Sequence, residues 1–332
     1  MPSPARPSPS SSRKFVWLAA AILAGGLLWT TGWYYFAARF EDNLPAALAR
    51  IVGPDASADC ATADVRGYPF RFGLFCETLS YANPAEGMTA NTGALRSAAQ
   101  FYRPGHVVAE VDGPLVYTDT GLAVRTDWQV LQASVRAVSD GLDRGSIDAR
   151  NISFDIDGAG LAQRFALQAD RVNAHARRNA ADLDIAAYGD NLRNSLVDGL
   201  AAKAFTLEAT LTGRANMLEV PVVPLTTPFD AVLHRVAIEL DENTSLEIAG
   251  PVHVDDNRRI TANLELTVRN LQQLLKVVEP FNPEVAGLLA GVGPLIASLD
   301  TKPGDDAITL PLKISNNMVS LGMFPLGELP SL

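Results

Sequence analysis

Cysteine is nearly absent: Cys60 and Cys76 are the only two in 332 residues. That excludes a dense disulfide scaffold and a Cys-rich zinc module. Histidine is almost as scarce. His106, His175, His234 and His253 are far apart, and none sits in an HExxH pattern, so each reads as a surface or strand-end residue rather than a ligand or base. Positive charge is also short, with 27 Lys+Arg against 37 Asp+Glu and a net charge of −10. A chain this acidic is poorly suited to broad nucleic-acid binding, which needs clustered Lys and Arg. There is no Walker pattern and no Gly-x-Ser-x-Gly elbow. Gly158-Ala159-Gly160 is too short for a phosphate loop. Asp155-Ile156-Asp157-Gly158 starts like a calcium loop but lacks the later ligands and the closing Glu. With 25 Gly and 21 Pro, collagen-like and generally disordered chains are excluded. No nucleophile, base, metal or cofactor set is visible, so the expectation is a non-enzymatic protein without a cofactor.

What the sequence does have is one long uncharged run. Phe15–Ala38 spans 24 residues without a charge, about 36 Å as a helix, against a hydrocarbon core of about 30 Å. Trp17 lies near one end, and Trp29, Trp33, Tyr34 and Tyr35 lie at the other, as in aromatic belts at two interfaces. The run is too long for a signal-peptide core and ends in bulky residues rather than a small-residue cleavage site. Arg6, Arg13 and Lys14 precede it, which keeps the N-terminus cytoplasmic. The expected organisation is a disordered tail over 1–14, a transmembrane helix over 15–38 and a β-rich domain over 39–332, periplasmic in a bacterium. Val220–Pro228 is the best candidate for a junction between two halves, or else a loop within one sheet. Cys60 and Cys76, 16 apart in an exported domain, read as a disulfide. Two unrelated thiols are the alternative.

A short helix is expected over Phe40–Val52. Beyond it period-two alternation dominates. Leu122, Val124, Trp128 and Val130 share a parity, and Leu131, Ala133, Val135 and Ala137 take the opposite one, as across a bulge. Further runs begin at Val107, Ile152, Phe165, Leu183, Phe205, Val236, Leu246 and Ile260. Ile308–Ile314 closes the series, and Pro311 marks it as an edge or bulged strand. Asp112-Gly113, Asp157-Gly158 and Gly250-Pro251 read as turns, and Asp255–Arg259 as a charged hairpin turn. Helical spacing appears at Leu271, Leu274, Leu275 and Val278, then at Val285–Ile296, and more weakly over Asn191–Ala204 through Leu192, Leu196 and Leu200. The predicted fold is mainly β with a few α: a transmembrane helix, then a large curved antiparallel sheet with helices packed on its apolar face.

Arg66-Gly67-Tyr68-Pro69-Phe70-Arg71-Phe72 follows the anchor, and the tail carries Leu310-Pro311-Leu312, Leu321-Gly322 and Pro325-Leu326. In these features the chain resembles the bacterial domain-of-unknown-function family 2125 over nearly its whole length. Asn316-Asn317 stands where that family tends to have Asp-Gly, and it still suits a tight turn. The resemblance implies location and fold rather than chemistry. A looser likeness, carried by Ile260–Val268 and the helix after it, is to AsmA-like envelope proteins, several of which are implicated in lipid handling.

Arg66, Tyr68, Phe70, Arg71 and Phe72 are therefore the candidate membrane-proximal lipid contacts, with arginine meeting phosphate. Phe70, Phe72 and Leu74 alternate and are expected on one face. A structural corner filling its own core is the alternative. The expected role is an inner-membrane-anchored protein that binds or passes phospholipid through an apolar groove. The other reading is an envelope scaffold that docks other proteins through its sheet edges. Whether the apolar face is a groove or a sealed core stays open.

Overall fold

A computed structural model describes residues 11–158, 165–194, 201–219, 225–279, 287, 307–322 and 324–330. The helix α1 (Ser11–Val52) is unbroken. The expected anchor and the expected short helix over Phe40–Val52 are one rod of about 63 Å.

Five long strands follow, each interrupted once. They are β1 (Ser57–Ala61) with β2 (Asp64–Arg66), β3 (Arg71–Cys76) with β4 (Thr78–Asn83), β5 (Met88–Thr92) with β6 (Leu95–Gln100), β7 (Arg103–Val111) with β8 (Leu115–Thr118), and β9 (Leu122–Asp127) with β10 (Val130–Val138). Next come β11 (Gly141–Gly158), β12 (Phe165–Asn179), β13 (Asp182–Asn194), β14 (Ala201–Leu211), β15 (Phe229–Glu239), β16 (Ser245–Val254) and β17 (Ile260–Arg269). After α2 (Leu271–Val278) the chain ends in β18 (Ala307–Ser315), β19 (Met318–Leu321) and β20 (Phe324–Glu328). Every strand pairing is antiparallel and joins neighbours along the chain, first as β2–β3 and β1–β4, then as β3–β6 and β4–β5, and so on to β19–β20. The result is one open, curved, up-and-down sheet. It runs without a break across the β14–β15 connection that contains Val220–Pro228.

The interruptions lie side by side and form a crease. Glu77 N–H donates to the Ala61 carbonyl at 2.9 Å, Asp112 N–H to Ala94 at 2.8 Å and Gln129 N–H to Arg150 at 3.0 Å. The crease continues as left-handed breaks without a register shift at Asn151 (φ 49°) and Asn191 (φ 51°), where asparagine tolerates that region. In β11 and β12 the break changes the parity by one residue, so the apolar set stays on one face. In β11 the inward residues pass from Ala149 to Ile152 and Phe154, and in β12 from Ala169 to Val172. The parity change after Leu122–Val130 is this crease: the chain leaves β9 and enters β10 at Trp128-Gln129.

Several expectations are corrected. Asn191–Ala204 is not a helix: Asn191–Asn194 ends β13, and Ala201–Ala204 opens β14 with Leu192 opposite Ala202. A spacing of four satisfies period two as well as a helix, and long-range pairing decides. Leu196, Leu200, Val285, Leu288, Leu289, Val292 and Ile296 lie outside the described residues. Asp112-Gly113 belongs to the crease, and Gly250-Pro251 sits inside β16. Gly250 has φ +139°, and a Cβ there would come within 2.4 Å of the Asn263 carbonyl. The strand with Pro311 pairs along its length with β17, and with β19 only from Leu312 onward. Two unforeseen strands, β19 and β20, follow it. The turn between β18 and β19 is Asn316-Asn317, both with positive φ, as expected. The charged Asp255–Arg259 turn also forms, with the Asp255 carboxylate accepting from the backbone of Asn257 and Arg259.

Arg96 clamps the crease. Its guanidinium bonds both Asp112 oxygens (2.7 and 2.5 Å) and Glu110 (2.8 Å). The bonds to Arg96 hold both carboxyls below their ordinary range. Carboxyls with a depressed folded pKa stabilise above the unfolded pKa, about 4, and lose that contribution as pH falls further. The thermal midpoint should therefore fall more steeply below about pH 4 in the native chain than in Arg96→Gln. Parallel midpoint curves between pH 5 and pH 3 would contradict the clamp.

Candidate membrane-facing site

The second half of α1 is docked on the sheet. Trp33, Ala37, Leu44 and Leu48 recur at helical spacing on one stripe of the helix. Trp33 and Ala37 pack on Val65 and Phe72, and Leu44 and Leu48 pack on Cys60 and Cys76. The two cysteines form a disulfide with Cα atoms 5.2 Å apart, so the expected pairing is present. Closing a loop of about 15 residues stabilises by about 3 kcal/mol in the chain-entropy model.

Polar bonds fix the register of this docking. The Trp29 indole N–H donates to the Pro69 carbonyl at 3.1 Å, and that of Trp33 to the Arg71 carbonyl at 3.1 Å. The Thr30 and Tyr68 hydroxyls are 2.6 Å apart. Val65 N–H donates to the Glu41 carboxylate at 2.7 Å. Trp33 stacks on Phe72 with centroids at 5.0 Å, Tyr34 stacks on Tyr68 at 5.7 Å, and Trp29 meets the Phe101 edge at 4.6 Å. Trp33 is only 5% exposed, so it is a core residue rather than a free member of an aromatic belt. Gly67, at φ +117°, is required in this turn because a Cβ would lie 2.8 Å from the Arg71 carbonyl.

Two hairpin tips meet beside Trp29. Phe101 N–H donates to the Phe70 carbonyl at 3.1 Å. Tyr68, Phe70, Phe101 and Tyr102 remain exposed there, Phe70 by 63% and Tyr102 by 61%. Of the five lipid-contact candidates, Tyr68, Phe70 and Arg71 are exposed at this tip. Phe72 faces α1 instead. Phe70 does not share its face, because alternation starts only at Arg71 after the Gly67–Phe70 turn. Arg66 is engaged by Asp64 at 2.5 Å and lies over the Phe75 ring at 4.8 Å. Arg71 has no ion pair among the described residues.

From Phe72 the apolar face runs on through Ala99, Val107 and Val135 to Gly145. α1 covers its start. At the far side α2 covers it, with Leu271 on Leu310 and Leu321. Between them Ile147 is exposed, and Ala174, Ala187 and Leu207 are only partly buried. Under α2 lies an apolar cleft of about 260 Å³ lined by Leu167, Leu192, Ala202, Ile238, Leu246 and Leu274.

The opposite face is polar and concave. It holds a trough of about 1500 Å³. Ser134, Ser146 and Ala186 supply a floor of small side chains, and Arg136, Arg144 and Arg177 line one side. Here three of the four histidines come to one face. His106 bonds Ser134 at 3.1 Å, His234 bonds Thr210 at 2.8 Å, and His175 tilts against Tyr188 at 6.3 Å. Thr210 also donates to Asp184, and that bond, with those from Arg177 and Asn179, holds the Asp184 carboxyl below the ordinary range. Sequence spacing hides this constellation, because its members sit on seven strands. The signal available was their outward parity, but alternation does not state which strands are neighbours. Among the described residues no three His, Cys, Asp or Glu side chains gather to hold a metal.

Trp33→Ala should cost about 3–5 kcal/mol of stability and free α1 from the sheet. Limited proteolysis after Val52 should accelerate at least tenfold, and an unchanged cleavage rate would refute the docking.

The family described as "Uncharacterized protein conserved in bacteria (DUF2125)" matches residues 33–330. No curated protein and no solved structure matches the chain.

Proposed function

We propose that this chain, which belongs to the bacterial domain-of-unknown-function family 2125, is a non-enzymatic, inner-membrane-anchored envelope protein that takes lipid onto the apolar face of its curved sheet. Arg13 and Lys14 before the uncharged run keep the N-terminus cytoplasmic and the sheet periplasmic. The observation that carries the reading is the bond from Trp29 to Pro69. Trp29 is only about 21 Å along the helix from Phe15, less than the roughly 30 Å hydrocarbon core. A hairpin tip held at Trp29 therefore reaches the outer leaflet. Phe70, Phe101 and Tyr102 suit that depth, and Arg71 beside them suits lipid phosphate. From this tip the face bearing Phe72 and Val107 leads away under α1 into half-exposed apolar sheet. An acyl chain leaving the bilayer meets no charged side chain on that path through Ala99, Val107 and Val135. The AsmA-like likeness points the same way but stays an analogy of fold.

The full chain, purified in mild detergent, should carry phospholipid well above a control single-span protein, read by mass spectrometry of extracts. Leu207→Glu on the apolar face should reduce that excess at least fivefold. Extracts matching the control would overturn the proposal. The second reading, an assembly scaffold for envelope proteins, rests on β20, which among the described residues pairs on one side only. Site-specific crosslinking at Phe324–Glu328 in cells would then trap a defined partner, and no adduct would count against it.

A further inference from the structure

We propose that the arginine row on the polar face is a binding site for a phosphate-bearing anion. Arg136 stands directly opposite Arg144, and Arg144 directly opposite Arg177, across β10, β11 and β12. His106 lies opposite Arg136 at the end of the row. Like charges directly opposite each other destabilise a sheet. Two such contacts in succession are a cost that nothing in the fold requires, since polar uncharged residues would pair there equally well.

Compensation by the protein's own acids is incomplete. Asp143 is shared loosely, 3.8 Å from Arg136 and 3.7 Å from Arg144. Among the described residues the other arginine–carboxylate contacts on the sheet are all closer, from 2.5–2.8 Å at Arg96, Arg125 and Arg171 to 3.4 Å at Arg150 and 3.5 Å between Arg235 and Glu239. Only Arg177 has a close partner, Asp184 at 2.9 Å, and Asp184 is already bonded to Thr210. The three guanidinium side chains are 56%, 61% and 70% exposed and line the trough. Arg103 lines it too and has no ion pair among the described residues. The trough thus gathers four arginines against Asp184 and Glu208, in a chain whose net charge is −10. Glu208 is itself occupied by the Tyr188 hydroxyl at 2.7 Å.

The geometry selects phosphate. Neighbouring strands are about 4.8 Å apart, so the row presents forked donors over about 10 Å. Guanidinium groups bind phosphate oxygens in pairs. Ser134 and Ser146, opposite each other on the floor, add hydroxyl donors beside the row. Arg103 sits next to Tyr102 of the exposed hairpin tip, so the trough begins at the end of the sheet docked against α1. Both a lipid headgroup and a soluble phosphorylated molecule carry the required chemistry. The site lies on the face opposite the proposed lipid path and stands or falls apart from it.

The test uses the full chain in phosphatidylcholine nanodiscs, titrated calorimetrically with pyrophosphate. Saturable binding that weakens with added NaCl is expected. Arg144→Gln should lower the affinity at least tenfold while leaving the thermal midpoint equal or higher, because repulsion is removed. Arg125→Gln, whose arginine is paired with Asp127 outside the trough, should bind as the native chain does. Phosphatidylglycerol in the disc should compete with pyrophosphate if the phosphate is a headgroup and leave it unaffected if the ligand is soluble; either result supports the site. Absence of pyrophosphate binding, native affinity in Arg144→Gln, or a lowered midpoint in that variant would each overturn it.

Discussion

Two indole N–H groups set the geometry of this protein. Trp29 and Trp33 lie on a helix, one turn apart, and donate to the carbonyls of Pro69 and Arg71 in the first hairpin. The Trp33 bond is part-buried beside the Phe72 and Tyr68 rings, so leaving that donor unpaired would cost about 1–3 kcal/mol, while the Trp29 bond is exposed and fixes register more than it adds energy. The consequence is larger than that energy. In a meander each strand is positioned by the one before it, and here the first hairpin is positioned by the anchor. The disulfide and the Leu44–Leu48 stripe extend the same contact along the helix. The sheet is therefore not suspended on a linker; its orientation to the helix is built into the core.

Keeping one face apolar over so wide a sheet is the next constraint. A strand longer than about ten residues accumulates twist, and a strictly alternating sequence would carry its apolar residues along with that twist. The crease relieves this by resetting the parity at nearly the same level in strands such as β11 and β12. Arg96, Asp112 and Glu110 hold one part of it with charge, and Asn151 and Asn191 hold another with left-handed backbone. The curvature that makes one face concave and the other a support for two helices follows from this line of breaks.

Much of this was legible in the residues. The strands from Val107 to Ile314 follow alternation, the helix after Asn270 follows its spacing, and the two cysteines pair as their context implied. What alternation lacks is neighbour identity. Leu192, Leu196 and Leu200 satisfy a helix and a strand equally, and only pairing with Ala202 separates the two at Leu192. Trp33 looked like an interfacial residue because its hydrophobicity is the same whether lipid or Phe72 covers it. The Arg66–Phe72 segment stood out by its aromatics, but its division into a docked Phe72 and an exposed Phe70 depends on where the turn ends. His106, His175 and His234 looked unrelated because nearly 130 residues separate the first from the last, while the meander folds that distance into a few strand widths.

The two faces also differ in how their composition is explained. The apolar face needs no ligand to account for it: its residues gain by leaving water, and α1 and α2 each cover part of it. The polar face is mostly explained as well, since Asp148 meets Arg171 and Arg235 meets Glu247 in the alternating charge expected of a solvated sheet. The departure is local. Where Arg136, Arg144 and Arg177 face one another, the pattern of opposite charges gives way to like charges over three strands, with one loosely held carboxylate between the first two. Stability alone favours an acid or a neutral residue at the middle position. Arg150 also stands opposite Arg171, but there Asp148 reaches both, at 3.4 and 2.8 Å, whereas Asp143 stays 3.7–3.8 Å from Arg136 and Arg144, the gap that a negative partner would fill.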